Sequence, residues 1–67
     1  MFNEHDSVLA NQNLTNRVPI GTIGVVVVCY REFDENSKDY EVEFFDSEYN
    51  TIEILTVSED KISTLVK

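Results

Sequence analysis

The clearest periodic segment in the chain is Tyr40-Glu41-Val42-Glu43-Phe44, where apolar and acidic residues alternate strictly. A period of two puts Tyr40, Val42 and Phe44 on one face of a β-strand and Glu41 and Glu43 on the other. Phe45 comes next and therefore shares the face of the two glutamates. The segment Thr51-Ile52-Glu53-Ile54-Leu55-Thr56-Val57 predicts a further strand, with Ile52 and Ile54 on one face and Glu53 on the other. Between them, Asp46-Ser47-Glu48-Tyr49-Asn50 reads as a hairpin connection. Upstream, Val25 to Val28 run on into Cys29 and Tyr30. Consecutive β-branched residues after the turn signal Gly21-Thr22-Ile23-Gly24 predict a strand with both faces covered, or one that is strongly curled.

The remaining segments are shorter. Ser7-Val8-Leu9-Ala10 is an apolar run followed by the turn-forming Asn11-Gln12-Asn13, and Leu14 to Ile20 contains Pro19, which suits a loop or a sheet edge. Asp34 to Asp39 is a polar loop. Ser58-Glu59-Asp60-Lys61 predicts one helical turn, with Ser58 as N-cap and acids in the first turn. Ile62 to Val66 returns as a last short strand. Five short strands with tight connections and at most one helical turn predict an all-β single domain over residues 1–67, a five-stranded SH3-like barrel. Its expected buried residues are Val8, Val25, Val27, Val42, Phe44 and Ile54.

Composition narrows the chemistry. Among 67 residues, thirteen acids face five Lys and Arg, a formal charge of −8. That balance argues against nucleic acid or an anionic membrane as partner, since binding there depends on basic residues displacing counterions. The apolar content of 42% is too high for a disordered acidic tail. No apolar run reaches the ~20 residues of a membrane-spanning helix, and no secretion leader is expected, so the expected location is cytoplasmic.

Catalysis and cofactors find little support. Cys29 and His5 are the sole residues of their types, too few to close a structural zinc site, and they read as a buried small hydrophobe and a surface residue. Asp34-Glu35-Asn36 opens like a calcium loop, but Asp39 occupies the sixth position, where glycine is needed for the sharp turn. Paired carboxylates for acid–base work need a cleft for which so short a chain has little room. No catalytic residue, metal or cofactor is expected.

The segments Asp6-Ser7-Val8-Leu9, Gly21-Thr22-Ile23-Gly24-Val25-Val26, Tyr40-Glu41-Val42-Glu43-Phe44 and Thr51-Ile52 occur in that order. Together they resemble a family of small bacterial SH3-like barrel proteins of unassigned biochemistry. Two departures stand out: no glycine lies between Arg31 and Asp39, and Asn50 occupies a place where that family often has glycine. The resemblance implies a partner of bacterial toxins, in particular nuclease-like ones, with the chain as antitoxin or immunity component.

The charge suits that implication. Nine of the thirteen acids fall between Glu32 and Glu53, with Lys38 the only lysine in that window. Such a surface attracts a basic protein, although a charged sheet face also serves solubility and prevents edge pairing. Glu41, Glu43 and Glu53 sharing one face would repel one another, which favours a functional reason for them. The expected partner-binding residues are Glu41, Glu43, Phe45, Asp46, Glu48, Tyr49 and Glu53, the acids for steering and the two aromatics as anchors. The alternative is an accessory or regulatory SH3-like module of a larger assembly, for instance a translation-related one. A module touching RNA would be expected to carry a basic stripe.

Overall fold

A computed structural model describes residues 1–65. Five antiparallel strands form one sheet: β1 (Ser7–Ala10), β2 (Ile23–Cys29), β3 (Asp39–Phe45), β4 (Thr51–Ser58) and β5 (Ile62–Thr64). Their order across the sheet is β4-β3-β2-β1-β5. Two short 3-10 turns, Tyr30–Glu32 and Glu59–Lys61, complete the regular structure. The all-β, five-stranded, barrel-like fold expected of the chain is what it adopts. The predicted last strand runs from Ile62 to Thr64, and its expected end at Val66 lies outside the described residues.

The core gathers on one side of the sheet. Tyr40, Val42 and Phe44 are fully buried, as their alternation requires, and join Val8, Ala10, Val26, Cys29, Val57 and Ile62. Phe2 and Val18 enter from outside the strands. The Phe2 ring meets Tyr40 edge to face with centroids 5.5 Å apart, and the Phe2 amide donates to the Tyr40 hydroxyl at 3.1 Å. The Arg31 guanidinium donates to the same hydroxyl at 3.5 Å, so the buried phenol oxygen accepts from two sides.

Two strands present faces opposite to those expected. Val25 and Val27 are only half-buried, and Ile54 is 57% exposed. In β2 the inward positions are Gly24 and Val26, opposite Phe44 and Val42. A β-bulge then inserts Val27, so Val28 lies opposite Glu41 on the outside and Cys29 opposite Tyr40 on the inside. In β4, Leu55 and Val57 lie opposite Val42 and Tyr40, which leaves Ile54 outside, opposite Glu43. Opposed residues of paired strands share a face, so pairing with β3 sets both frames.

The two glycines of Gly21-Thr22-Ile23-Gly24 serve different ends. Gly21 adopts φ +90°, and its amide donates to the Ala10 carbonyl at 2.8 Å where the chain turns into β2. Gly24 sits between β1 and β3, and a Cβ there would lie 2.8 Å from Val42 Cγ1 and 2.9 Å from Phe44 Cδ1. Ser58 precedes the second 3-10 turn as expected, but its hydroxyl makes no backbone cap and donates instead to Asp60.

Candidate functional site

The hairpin β3–β4 and its neighbour β2 build an outer face of mixed character. Cross-strand pairing sets three rows across it: Ile23, Phe45 and Thr51; Val25, Glu43 and Ile54; Val28, Glu41 and Thr56. Glu41 and Glu43 therefore share this face with Phe45, as the alternation predicted. Glu53 does not. It lies opposite Phe44 and accepts a hydrogen bond from the Thr15 hydroxyl at 2.9 Å, tying the long β1–β2 loop to β4. The expected trio of Glu41, Glu43 and Glu53 on one face is thereby corrected to a pair, because β4 takes the frame that buries Val57 and packs the half-buried Leu55 against the core.

Each carboxylate has a local role. Glu41 accepts from the Tyr30 hydroxyl at 2.6 Å and from the Thr56 hydroxyl at 3.1 Å, and the bond from Tyr30 raises the pKa of that phenol. Glu43 accepts from the Thr51 hydroxyl. These bonds hold the two glutamates in place across the strands and offset part of their mutual repulsion. Among the described residues, the one ion pair joins the Met1 amino group to Glu59, 3.0 Å apart. The charge of the outer face is thus neutralised by no lysine or arginine of the described chain.

At the tip, Asp46 organises the turn. Its Oδ1 accepts the amides of Glu48 at 2.8 Å and Asn50 at 2.9 Å, and these bonds, the Asn50 one foremost, hold its carboxyl below the ordinary aspartate range. The backbone closes with Tyr49 N–H donating to Asp46 C=O and Asp46 N–H donating to Asn50 C=O. In such three-residue hairpins the last position is left-handed and favours glycine. Here it is Tyr49 that adopts φ +63°, not Asn50, and its ring is 73% exposed. Glu48 is exposed beside it.

Phe45 is half-buried rather than free-standing. With Ile20, Ile23 and Ile52 it lines an open groove of about 500 Å³ between the β1–β2 loop and the β3–β4 turn, with Arg17 and Asp46 at its margins. Of the seven expected binding residues, the structure brings Glu41, Glu43 and Phe45 onto one face and sets Asp46, Glu48 and Tyr49 at its end. Ile20, Ile23, Ile52 and Ile54 are apolar members of this surface that the sequence reading did not assign to it. For Ile54 the adjacency of Leu55 was a signal, since a strand cannot turn both inward; Ile20, Ile23 and Ile52 carried none.

The other motifs stay apart. Cys29 is buried, with the Arg31 guanidinium 3.6 Å from its sulfur, and His5 is exposed at φ +73°. Asp34 Oδ1 accepts the Asn36 amide in an ordinary loop turn. No group of three or more potential metal ligands is found among the described residues, and no helix among them is long and apolar enough to cross a membrane.

Comparison with known proteins places the sequence without assigning it an activity. No curated protein matches the chain, and no solved structure matches it. A protein-family match covers residues 4–64, from the loop before β1 to the end of β5. Over that span the chain belongs to the family described as a domain of unknown function, DUF4926.

Proposed function

We propose that the domain is a non-catalytic protein-binding module of the cytoplasm, an antitoxin or immunity protein that neutralises a basic, nuclease-type toxin. The observation that carries this reading is the outer face itself: Glu41 and Glu43, held by hydroxyls, stand among the apolar side chains of Phe45 and Ile54 with no basic neighbour paired to them. Apolar anchors amid uncompensated charge suit a protein interface. A nuclease needs a basic surface for phosphates, and an acidic protein is steered onto such a surface by complementary fields. Tyr49 supports the same reading, because a bulky exposed aromatic in a left-handed position is strained, and such strain concentrates at functional sites. Carboxylates already accepting hydroxyl bonds suit fixed surface charge better than proton transfer.

The test is stopped-flow association with a basic protein captured from the native host by the wild-type domain and not by the Glu43→Lys, Glu48→Lys variant, at several salt concentrations; capture of no such protein counts against the reading. The wild type should associate rapidly, with a rate that falls as salt rises. Glu43→Lys combined with Glu48→Lys should slow association by about ten-fold and flatten its salt dependence. Unchanged rates in that variant would place the contact elsewhere and remove the physical basis of this reading.

A further inference from the structure

The groove beside the β3–β4 turn has not only an apolar floor but an acidic surround. Ile23 and Phe45 lie opposite each other on β2 and β3, and Ile52 is the extra residue in β4 where the register shifts between Phe44 and Phe45. Ile20, 63% exposed, stands on the loop across from them. The loop is held there: the Ile20 amide donates to Asn13 Oδ1 at 2.8 Å, and Val18 is fully buried two residues before it. The floor is therefore preformed rather than assembled from a loose loop. The groove measures about 500 Å³ and is open to solvent along its length, which leaves room for a side chain presented from a partner's surface.

Around that floor the charge is mostly of one sign. Asp46 lies at the edge, Glu48 follows in the same turn, and Glu43 occupies the neighbouring row of the outer face. Arg17 at the loop end is the single base lining the groove. We propose that this groove is the anchoring subsite for one apolar side chain of a basic partner, with lysine or arginine residues flanking that side chain and pairing with Glu43 and Glu48. A second copy of the chain is the wrong occupant, because two copies of charge −8 would bring like-charged rims together. The proposal rests on the reading of the domain as a binder of basic proteins, and it adds which part of the surface governs dissociation.

Two synthetic peptides test it by methyl and amide NMR titration of the whole domain. One carries two adjacent leucines between lysines; its twin has serines in place of the leucines. The leucine peptide should shift the Ile20, Ile23 and Ile52 methyl signals and bind about ten-fold tighter than the serine twin, the order expected for burying one aliphatic side chain. Ile20→Asp gives the sharper readout. It adds a carboxylate, so charge attraction alone would tighten binding of both peptides, whereas an anchoring groove requires the leucine peptide to weaken to the level of its twin. Ile20 is exposed, and an unchanged amide spectrum outside the loop verifies the fold of that variant. Equal binding of both peptides, with shifts confined to Glu43 and Glu48, would overturn the groove and leave the acidic face standing. Binding of neither peptide would overturn both. Concentration-dependent sedimentation that Ile20→Asp abolishes would assign the groove to a second copy and overturn the proposal as well.

Discussion

Tyr49 and Gly24 show how single residues carry opposite burdens. Tyr49 occupies a left-handed position that glycine would fill without strain, and its ring is exposed. Left-handed backbone costs an L-residue about 1–2 kcal/mol. Tyr49→Gly should therefore raise stability by about 1 kcal/mol, offset in part by the entropy of glycine in the unfolded chain, while weakening partner binding. Urea unfolding together with an association assay checks both, and a variant that is less stable would show that the ring packs usefully in the free protein. Gly24 is constrained by space instead: a methyl group there meets buried Val42 and Phe44 and approaches the Glu43 carbonyl at 3.0 Å. Gly24→Ala should destabilise by about 1–3 kcal/mol through overpacking, measurable as an earlier urea midpoint. Asp46 adds a pH dependence. Its folded pKa is depressed, so its contribution is complete above the unfolded value and lost as pH falls through the folded one. The melting temperature of Asp46→Asn should lie below that of the wild type at pH 6, and the gap should close as pH falls below about 4. A gap that persists at pH 2 would show that the amide geometry, not the charge, is what the turn requires.

At the scale of elements, the long β1–β2 loop is the segment with the least regular structure and the most specific ties. The Thr15 hydroxyl accepts the Arg17 and Val18 amides, both at 3.1 Å, and donates to Glu53 on β4. One side chain thus closes the loop on itself and fastens it to the far strand, while Val18 fills the core beneath. Thr15→Val keeps the shape and removes the hydroxyl, so it should cost about 1–2 kcal/mol and increase amide hydrogen exchange from Asn13 to Ile20. Faster exchange confined to β4 instead would mean that Glu53, rather than the loop, depends on this bond. The same loop forms one wall of the apolar groove, so its order bears directly on binding.

For the whole molecule, the governing quantity is charge. A net −8 on a body of 33 × 22 × 19 Å sets many carboxylates within or near the screening distance of about 8 Å at physiological salt. Self-repulsion should lower stability at low ionic strength, and raising sodium chloride from about 10 mM to about 0.5 M should increase the melting temperature by several degrees. A melting temperature that falls with salt would mean that attractive pairs dominate the folded state. The same field repels nucleic acids and favours basic proteins, so stability and recognition respond to salt in opposite directions.

The sequence by itself determined the all-β class, the positions of the strands, the two faces of β3 and the acidity of its outer side. Each is a local property: alternation within Tyr40–Phe44 needs no partner to be read, and charge is additive. What only the tertiary structure decided was the frame of the neighbours. Four successive valines have no period, and Ile52, Ile54, Leu55 and Val57 offer apolar residues in both frames. Pairing with β3 and the bulges at Val27 and Ile52 choose between them, because opposed residues must share a face. That choice sent Ile54 outward, moved Glu53 to the other side, and brought Ile20 and Ile23 beside Phe45. Phe2 and Val18 lie in irregular segments, and isolated apolar residues there carry no periodic signal of burial; only the closed fold shows what they fill.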